Sequence, residues 1–276
     1  MNESLHIEVQ GQGETIVLLH GWGFHGGIWD ALAATLSKHF RVVRPDLPGH
    51  GRSDLLGDDY DLDHAVDALV DAVAAPAVWV GWSLGSMFAL RAAMRHPEQV
   101  RGVVSMAGTP CFTARKGWQH GVMGELIDRF GDELTEDWQV TLRRFLALQG
   151  QGCDPRLLRQ VRKVMMERLP TPEGLRGALH ILRHGDLRAE LKSIRCPVLA
   201  INGVKDNLVP LRGTQAWLGE LGDTRLLAFK DAGHVPFLSH PDEVSDAIHG
   251  FARYQSIGLS IGATVAAQAA LEREAG

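Results

Sequence analysis

The sequence predicts an α/β fold with a mostly parallel central sheet flanked by helices and a helical lid inserted after the sixth strand. Short apolar runs such as "TIVLLH" and "AVWVGW" alternate with helix-length segments, which is typical of parallel strands joined by crossover helices. A G-x-S-x-G pattern stands between one such run and a helical pattern. The strand signal then disappears over residues 111–190 and returns in "CPVLAING" and "TRLLAFKDAG".

The predicted strands can be justified in chain order. The run "LHIEVQ" alternates apolar and polar residues before a "GQG" turn, which predicts an antiparallel edge strand. The runs "TIVLLH", "FRVVRPD", "AVWVGW" and "VRGVVSMAG" then follow with helical patterns between them. We therefore expect a core at residues 1–110 and 191–256.

Residues 111–190 read as helices, with expected breaks at Gly131, at "QGQGCDP" and at "LPTP". About 80 residues is too long for a loop in a compact domain. Because open α/β sheets bind ligands at the carboxyl ends of their strands, we expect this lid to cover that edge. Residues 257–276 are expected to form a C-terminal tail, docked or frayed.

The composition argues against several classes of protein. A formal net charge of -5 gives no general attraction to nucleic acid or to an anionic membrane. The N-terminus lacks a basic segment followed by an apolar one, so a cytoplasmic location is expected. Three widely spaced cysteines argue against a disulfide framework and against a C-x-x-C metal site.

Ser83 is the candidate nucleophile. It lies in "GWSLG", directly after a strand-like run and before the helical pattern of residues 84–96. A sharp strand-to-helix turn requires small residues around the serine, which are Gly81 and Gly85, and it exposes the hydroxyl. The amide of Leu84 then lies at a helix N-terminus, free to stabilise an oxyanion. The alternative is a serine that only caps the helix.

A serine hydroxyl needs a base and an orienting acid to become a nucleophile. His234 in "DAGHVPF" follows the last predicted strand, and Asp206 in "GVKDNLVP" follows the one before it. Asp231 is a competing acid, but it shares the turn of His234 and is poorly placed to reach the far ring nitrogen. We therefore predict a Ser83, Asp206, His234 triad.

The loop "HGWGFHGG" at residues 20–27 admits two interpretations. Its G-x-G-x-x-G pattern, with Asp46 about 20 residues further on, matches a dinucleotide site. With a serine nucleophile present, the same loop after the third strand can supply the second oxyanion donor, the amide of Trp22. We favour this second interpretation, consider Asp46 mainly structural, and expect no cofactor and no metal.

These motifs resemble those of the α/β-hydrolase superfamily in "HGWG", "DLPGHGRS", "GWSLG", "GVKDNLVP" and "GHVPFLSHP". The lid sequences "TPCFTAR" and "RRFLALQ", and the spacing of Trp22 and Trp29, are similar to the pimeloyl-[acyl-carrier protein] methyl ester esterase family of biotin biosynthesis. The resemblance covers about residues 11–251. Lys205 beside the acid and Ser86 after the nucleophile depart from the family pattern.

The resemblance implies a serine carboxylesterase that hydrolyses the methyl ester of pimeloyl-[acyl-carrier protein] and releases methanol. It implies that the amides of Trp22 and Leu84 form the oxyanion hole. Implied substrate contacts are Trp22, Ser83, Leu84, His234 and the lid residues Phe145, Leu146, Ala147, Leu148 and Gln149. The alternatives are a broader carboxylesterase, a C–C bond hydrolase with the same triad, or a ligand receptor of this fold without turnover.

Residues 143–168 carry seven basic side chains and two acidic ones in a chain of net charge -5. Such a face can steer an acidic carrier protein, and the alternative is an ordinary solvated helix face. We expect a monomer that binds acyl carrier protein, with small esters as surrogate substrates and no nucleic-acid or membrane partner. The expected carrier contacts are Arg143, Arg156, Arg159 and Arg162.

Overall fold

A computed structural model describes residues 4–57, 60–149 and 154–256. Within these ranges a seven-stranded sheet has the order β1-β3-β2-β4-β5-β6-β7. Strand β1 is antiparallel to β3, as predicted, and the remaining pairs are parallel. The strands are β1 (Ile7–Gln10), β2 (Thr15–Leu19), β3 (Arg41–Pro45), β4 (Ala77–Trp82), β5 (Val100–Met106), β6 (Val198–Gly203) and β7 (Thr224–Phe229).

Helices cover both faces of this sheet and form the segment inserted between β5 and β6. In the described ranges they are α1 (Asp30–Leu36), α2 (Leu62–Val73), α3 (Leu84–Arg95), α4 (Gly124–Gln149), α5 (Pro155–Glu167), α6 (Pro172–His184), α7 (Leu211–Leu218), α8 (Pro236–Ser239) and α9 (Pro241–Ser256). We refer to α4, α5 and α6 as the inserted helices. No helix of the described ranges is both long and apolar enough to cross a membrane.

The burial of each strand follows its position in the sheet. Every residue of β2, β4 and β6 is buried, whereas the edge strands β1 and β7 contain only partly buried and exposed residues. Buried apolar side chains contribute about 1.5–3 kcal/mol each. The central strands β2, β4 and β6 are continuous apolar runs in the sequence. Their burial stabilises the sheet edge that carries the candidate site.

The sequence predicts one strand too many ahead of the inserted helices and ahead of the glycine loop. The inserted helices follow β5, the fifth strand of the described chain, and not the sixth; the glycine loop follows β2 and not the third strand. The reason is that β1 pairs directly with β3 as the edge of the sheet. The described residues contain no further strand ahead of β2.

The predicted helix break at Gly131 is also wrong, because α4 continues through Gly131 and is interrupted instead at Asp137, with φ -151° and ψ 89°. The Asp137 carboxylate accepts hydrogen bonds from the amides of Gln139 and Val140, at 3.1 and 3.0 Å. It therefore caps the second half of α4. The predicted break at "LPTP" agrees with the gap between α5 and α6.

Other expectations fall partly or wholly outside the described residues. The tail at 257–276 lies beyond them, as do Cys153 and most of "QGQGCDP".

Cys111 and Cys196 are free cysteines. Burial raises the pKa of both thiols, that of Cys196 to about 12, so neither is primed as a nucleophile.

Candidate active site

Ser83 occupies the turn between β4 and α3 in a strained backbone conformation, with φ 55° and ψ -115°. The turn is possible because its neighbours are glycines. A Cβ at Gly81 would overlap the backbone carbonyl of Gly85, and a Cβ at Gly85 would overlap the carbonyl of Leu19. A positive φ outside glycine is sparsely populated and is held here by the packed elements on either side. The sequence motif therefore has the geometry that it predicts.

His234 and Asp206 form a buried pair at the same edge of the sheet. Nδ1 of His234 lies 2.8 Å from Oδ2 of Asp206, and both side chains are almost inaccessible. The carboxylate is fixed from its other side, because Oδ1 accepts hydrogen bonds from the amides of Leu208 and Val209 at 2.9 and 3.0 Å. A carboxylate partner assigns the ring proton to Nδ1.

The other ring nitrogen of His234 is available for chemistry. Nε2 is buried and has no hydrogen-bond partner among the described residues. With the proton held on Nδ1, Nε2 carries a lone pair that can accept the proton of a hydroxyl. Strands β4, β6 and β7, which precede Ser83, Asp206 and His234 respectively, are parallel members of one sheet. Their carboxyl ends therefore bring the three residues to one edge.

Asp231, the competing acid, is directed elsewhere. Its side chain is 73% exposed and lies 3.0 Å from Nε2 of His240. The geometry thus favours Asp206. The rings of His180 and His184 lie 4.4 Å apart in a tilted arrangement, but the described residues contain no group of three or more His, Cys, Asp or Glu side chains suited to a metal ion.

The glycine loop lies directly beside Ser83. A Cβ built on Gly21 would be 3.4 Å from the Cβ of Ser83 and 3.0 Å from the Trp82 ring. The backbone that follows, at Trp22, is therefore close to the nucleophile without a side chain between them. Leu84 is the first residue of α3, so its amide belongs to the helix N-terminus, where amides lack intrahelical acceptors.

The Trp22 side chain faces the inserted helices. Its indole Nε1–H donates to the carbonyl of Leu175 in α6 at 2.9 Å, and its ring meets the ring of Phe145 in α4 edge-on at 4.7 Å. Both aromatic side chains are buried. The predicted contacts Trp22 and Phe145 are thus brought together, whereas the side chains of Leu148 and Gln149 lie outside the described part of the chain.

A neutral histidine lies beneath the same loop. His20 donates from Nδ1 to the carbonyl of Gly21 and accepts at Nε2 from the amide of Leu47, both at 2.8 Å. Burial lowers the pKa of His20 to about 3 and that of the neighbouring His50 to about 4. The two bonds need an uncharged ring, so His20 joins the glycine loop to the loop after β3 as a neutral group.

Asp46 carries backbone contacts rather than a ligand. Its carboxylate accepts from the amides of Gly26 and Arg52, at 2.6 and 2.9 Å. Burial by itself raises the pKa of this carboxyl, but the hydrogen bonds from the two amides favour its charged form, and the pKa lies below its usual range. These two hydrogen bonds agree with the structural role expected for Asp46. They also engage the carboxylate that would have to bind the ribose of a dinucleotide.

The basic side chains expected to contact a carrier lie on α4 and α5. Within the described ranges Arg144 and Arg168 form ion pairs with Glu133 and Glu8. Neither of these two arginines belongs to the predicted carrier contacts, and no ion pair in these ranges involves Arg143, Arg156, Arg159 or Arg162. A cavity of about 350 Å³ between the two helices combines cationic and apolar side chains: Arg143, Leu146, Ala147, Pro155, Leu158, Arg159 and Arg162.

Two residues near the site, Trp82 and His25, make hydrogen bonds that have no sequence signal. The Trp82 indole donates from Nε1 to the carbonyl of His234 at 2.8 Å, which ties the nucleophile turn to the histidine loop. His25 bonds to the carbonyl of Val164 in α5, also at 2.8 Å. Both bonds connect residues more than a hundred positions apart, so no local pattern could have indicated them.

A serine in a strained strand-to-helix turn, a buried histidine–carboxylate pair and a glycine loop beside the serine are features of a hydrolase with a nucleophilic serine. Residues 16–247 match the sequence profile of the alpha/beta hydrolase family. The chain belongs to this family.

Two proteins that are similar to this chain in sequence have the same name. The chain is 44% identical over 259 residues to the pimeloyl-[acyl-carrier protein] methyl ester esterase of Methylococcus capsulatus, covering 90% of this chain and 98% of that protein. The protein of the same name from Nitrosomonas europaea is 40% identical, with coverages of 87% and 96%. An esterase from Exiguobacterium antarcticum superposes with a TM-score of 0.82 at 22% identity, covering 90% and 95% of the two chains; that likeness concerns the fold alone.

Proposed function

We propose that this protein is a serine carboxylesterase that hydrolyses the methyl ester of pimeloyl-[acyl-carrier protein] to the free acid and methanol. The observation that carries the proposal is the buried His234–Asp206 pair with a free Nε2, at the sheet edge that holds Ser83 in its strained turn. Relatives that share 37–44% of their residues with this chain are named for this reaction.

In the acylation step the Ser83 hydroxyl attacks the ester carbonyl carbon while Nε2 of His234 takes its proton. Asp206 holds the ring in the tautomer that leaves Nε2 free and stabilises the imidazolium that forms. The amides of Trp22 and Leu84 donate to the oxyanion of the tetrahedral intermediate, where their effect is largest because the site is buried. The intermediate collapses as His234 protonates the departing methoxide, which leaves as methanol.

In the deacylation step a water molecule replaces methanol. His234 removes a proton from this water, which attacks the acyl-Ser83 ester, and the same two amides hold the second oxyanion. Collapse returns the proton to the Ser83 oxygen and releases the carboxylic acid on its carrier. Every proton moves through Nε2 of His234, so the step needs no metal in this mechanism.

The inserted helices are proposed to act as a lid that binds the acyl chain and its carrier. Phe145 and Trp22 form an apolar wall above the glycine loop, whereas Leu146 lines the cavity between α4 and α5. On the outer side, Arg143, Arg159 and Arg162 border the cavity between α4 and α5. Exposed guanidinium groups around an apolar groove suit an acidic carrier that delivers an acyl arm. A monomer in the cytoplasm remains our expectation.

The first test replaces the nucleophile. Ser83→Ala is expected to lower kcat by at least about 10³-fold on both p-nitrophenyl acetate and methyl pimeloyl-carrier, because removal of any triad member leaves only the oxyanion contribution. It should also fail to restore growth to a biotin-requiring strain that lacks this esterase, while the unchanged protein restores it. Retention of wild-type turnover by Ser83→Ala would refute the assignment.

The substrate needs its own comparison. The proposal expects kcat/KM for methyl pimeloyl-carrier to exceed that for free short esters and for a vinylogous diketone. Equal turnover of all esters would indicate a broader carboxylesterase, and preferred turnover of the diketone would indicate a C–C bond hydrolase. If an active-site-directed phosphonate failed to label Ser83, the result would indicate a ligand receptor without turnover.

The carrier surface is tested by charge reversal. A triple substitution of Arg156, Arg159 and Arg162 to Glu is expected to lower kcat/KM on the carrier-bound ester at least tenfold while sparing p-nitrophenyl acetate. The matched control changes the exposed Lys38, Lys192 and Lys230 to Glu, which alters the net charge equally at sites outside the inserted helices. Equal losses of kcat/KM in the two triple variants would show that the effect depends only on net charge. That result would contradict a specific carrier-binding face.

A further inference from the structure

The glycine loop is held from outside by each of the three inserted helices. The Trp22 indole donates to the carbonyl of Leu175 in α6. A Cβ at Gly23, where φ is 79°, would collide with the Leu142 side chain of α4. His25 bonds to the backbone of α5. The loop that supplies one proposed oxyanion donor is therefore packed between the core and the inserted helices.

Among these contacts, the His25 bond is the most specific. The side chain is 1% exposed. Its Nδ1 accepts from the amide of Gly27 at 3.1 Å, so the ring proton of the neutral tautomer is on Nε2. Nε2–H then donates to the carbonyl of Val164 at 2.8 Å. One imidazole thus caps the short turn at Gly26–Trp29 and ties that turn to α5.

We propose that His25 is a positioning residue for the oxyanion hole, which acts through the backbone of the glycine loop and uses its bond to Val164 of α5. The inference rests on the proposed serine esterase function. His25 does not touch the reacting atoms; it fixes the far end of the loop in which Trp22 lies, and Gly21 at the near end is already packed on Ser83 and Trp82. With both ends fixed, the Trp22 amide keeps one direction.

The position of the loop matters more for the transition state than for the substrate. A donor aimed at the oxyanion stabilises charge that develops only during attack, so its displacement lowers kcat and leaves KM nearly unchanged. A residue that only stabilised the fold would lower Tm and leave the kcat of the folded fraction alone. The ratio of these effects therefore separates positioning from structural support.

Two substitutions divide the two bonds of the ring. His25→Asn keeps an acceptor at the position of Nδ1, where Asn is a favoured cap, but its side chain is too short to reach the carbonyl of Val164. His25→Gln has an amide that can extend to this carbonyl. Both would be assayed with p-nitrophenyl acetate, with a trifluoromethyl ketone inhibitor that forms a tetrahedral adduct, and by thermal unfolding, with Ser83→Ala as the inactive reference.

For His25→Asn we expect kcat on the free ester to fall about tenfold, a fraction of the 10²–10³ that loss of an oxyanion donor costs. The affinity for the ketone should fall by the same factor, with KM within about twofold. His25→Gln should recover most of kcat. His25→Ser, a smaller capping residue without the lid bond, should repeat the Asn result and replaces it if His25→Asn does not fold.

Wild-type kcat and ketone affinity in His25→Asn would overturn the positioning role, as would equal losses in the Asn and Gln variants. A loss confined to KM or to Tm would also overturn it. These outcomes are independent of the carrier substrate. If Ser83→Ala remained active on the free ester, the proposed triad itself would fail, which is a different result from an inert His25.

Discussion

At the residue scale, the two oxygens of the Asp206 carboxylate make different contacts. Oδ1 accepts from two backbone amides of its own turn, and Oδ2 faces Nδ1 of His234. Three hydrogen bonds therefore fix the acid before any substrate binds. Because the carboxylate is fully buried, its direction is set by the fold and is not averaged by solvent.

Replacing Asp206 by Asn should separate geometry from catalysis. The Asn oxygen can still accept from the amides of Leu208 and Val209, so we expect Tm to change little. Its NH₂ group then faces Nδ1, which forces the ring proton to Nε2 and removes the lone pair that accepts the Ser83 proton. We expect kcat on p-nitrophenyl acetate to fall about 10³–10⁴-fold, measured by steady-state kinetics beside a thermal melt.

The control for that substitution is Asp231→Asn. Asp231 also precedes His234 in the chain, but its exposed carboxylate faces His240, and exposed pairs contribute little to stability. Its kcat should match that of the unchanged protein. A larger loss of kcat in Asp231→Asn than in Asp206→Asn would show that Asp231, and not Asp206, is the acid that orients His234.

Ser83, Asp206 and His234 could be predicted from the sequence because each lies in a short local pattern after a strand. The bonds of Trp82 to His234 and of His25 to Val164 could not, since each joins two distant segments through a backbone carbonyl. A carbonyl has no sequence signature, and a single Trp or His in a motif is compatible with many partners. The supporting contacts of the site are thus visible only in the fold.

At the element scale, the turn between β4 and α3 depends on the absence of two side chains. The backbone of Gly81 approaches Gly85 across the turn, and Gly85 approaches the end of β2. The turn thus packs against the loop that follows β2. One steric requirement therefore sets both the direction of Ser83 and the position of the glycine loop.

Gly81→Ala should disrupt this turn, because its Cβ would overlap the backbone carbonyl of Gly85 and backbone cannot move as a side chain can. We expect the free energy of unfolding to fall by about 2–4 kcal/mol, as in other overpacked or strained sites, with loss of esterase activity. Urea unfolding and phosphonate labelling of Ser83 would measure the two effects.

Gly250→Ala is the matched control within the same protein. Gly250 lies inside α9 and a Cβ there meets nothing within 4 Å, so the substitution should stabilise the helix by up to about 1 kcal/mol. A similar destabilisation in both alanine variants would mean that the close approach at Gly81 does not control the turn.

The inserted helices show the limit of local patterns at this scale. A glycine suggested a break in α4, but a helix tolerates glycine at a cost of about 1 kcal/mol, and Gly131 remains helical. Asp137 makes the break because its carboxylate captures the amides of Gln139 and Val140. Polar residues within helical patterns are common, so the sequence alone does not show which of them interrupts the helix.

At the scale of the whole molecule, the mostly parallel sheet and the sheet edge that holds the site follow from the alternation of apolar runs and helical segments. The count of strands ahead of the glycine loop does not, because the described chain has a single strand, β1, ahead of β2. Charge is also uneven at this scale: the chain has a net charge of -5, yet residues 143–168 carry seven basic side chains and two acidic ones.

Stability in acid is a property of the whole molecule that the buried histidines control. Burial lowers the pKa of His20 to about 3 and of His50 to about 4, whereas in the unfolded chain both titrate near 6.5. Below about pH 6.5 the unfolded state therefore binds more protons than the folded state, so the free energy of unfolding falls as the pH is lowered toward 4. Each histidine adds about 1.4 kcal/mol per pH unit to this slope.

His50→Asn tests this linkage, because the Asn amide can replace the bond that Nδ1–H of His50 donates to the carbonyl of Pro48 at 2.9 Å, and Asn does not titrate. Urea unfolding at pH 5.0, 5.5, 6.0 and 7.0 should give a slope between pH 5 and 6 that is smaller by about 1.4 kcal/mol per pH unit in the variant. Carboxylates with lowered pKa values, such as Asp46, lose their contribution only below about pH 4, because the unfolded chain begins to bind protons there while the folded carboxyl does not. An unchanged slope would show that His50 is not the neutral group that unfolding exposes to protons.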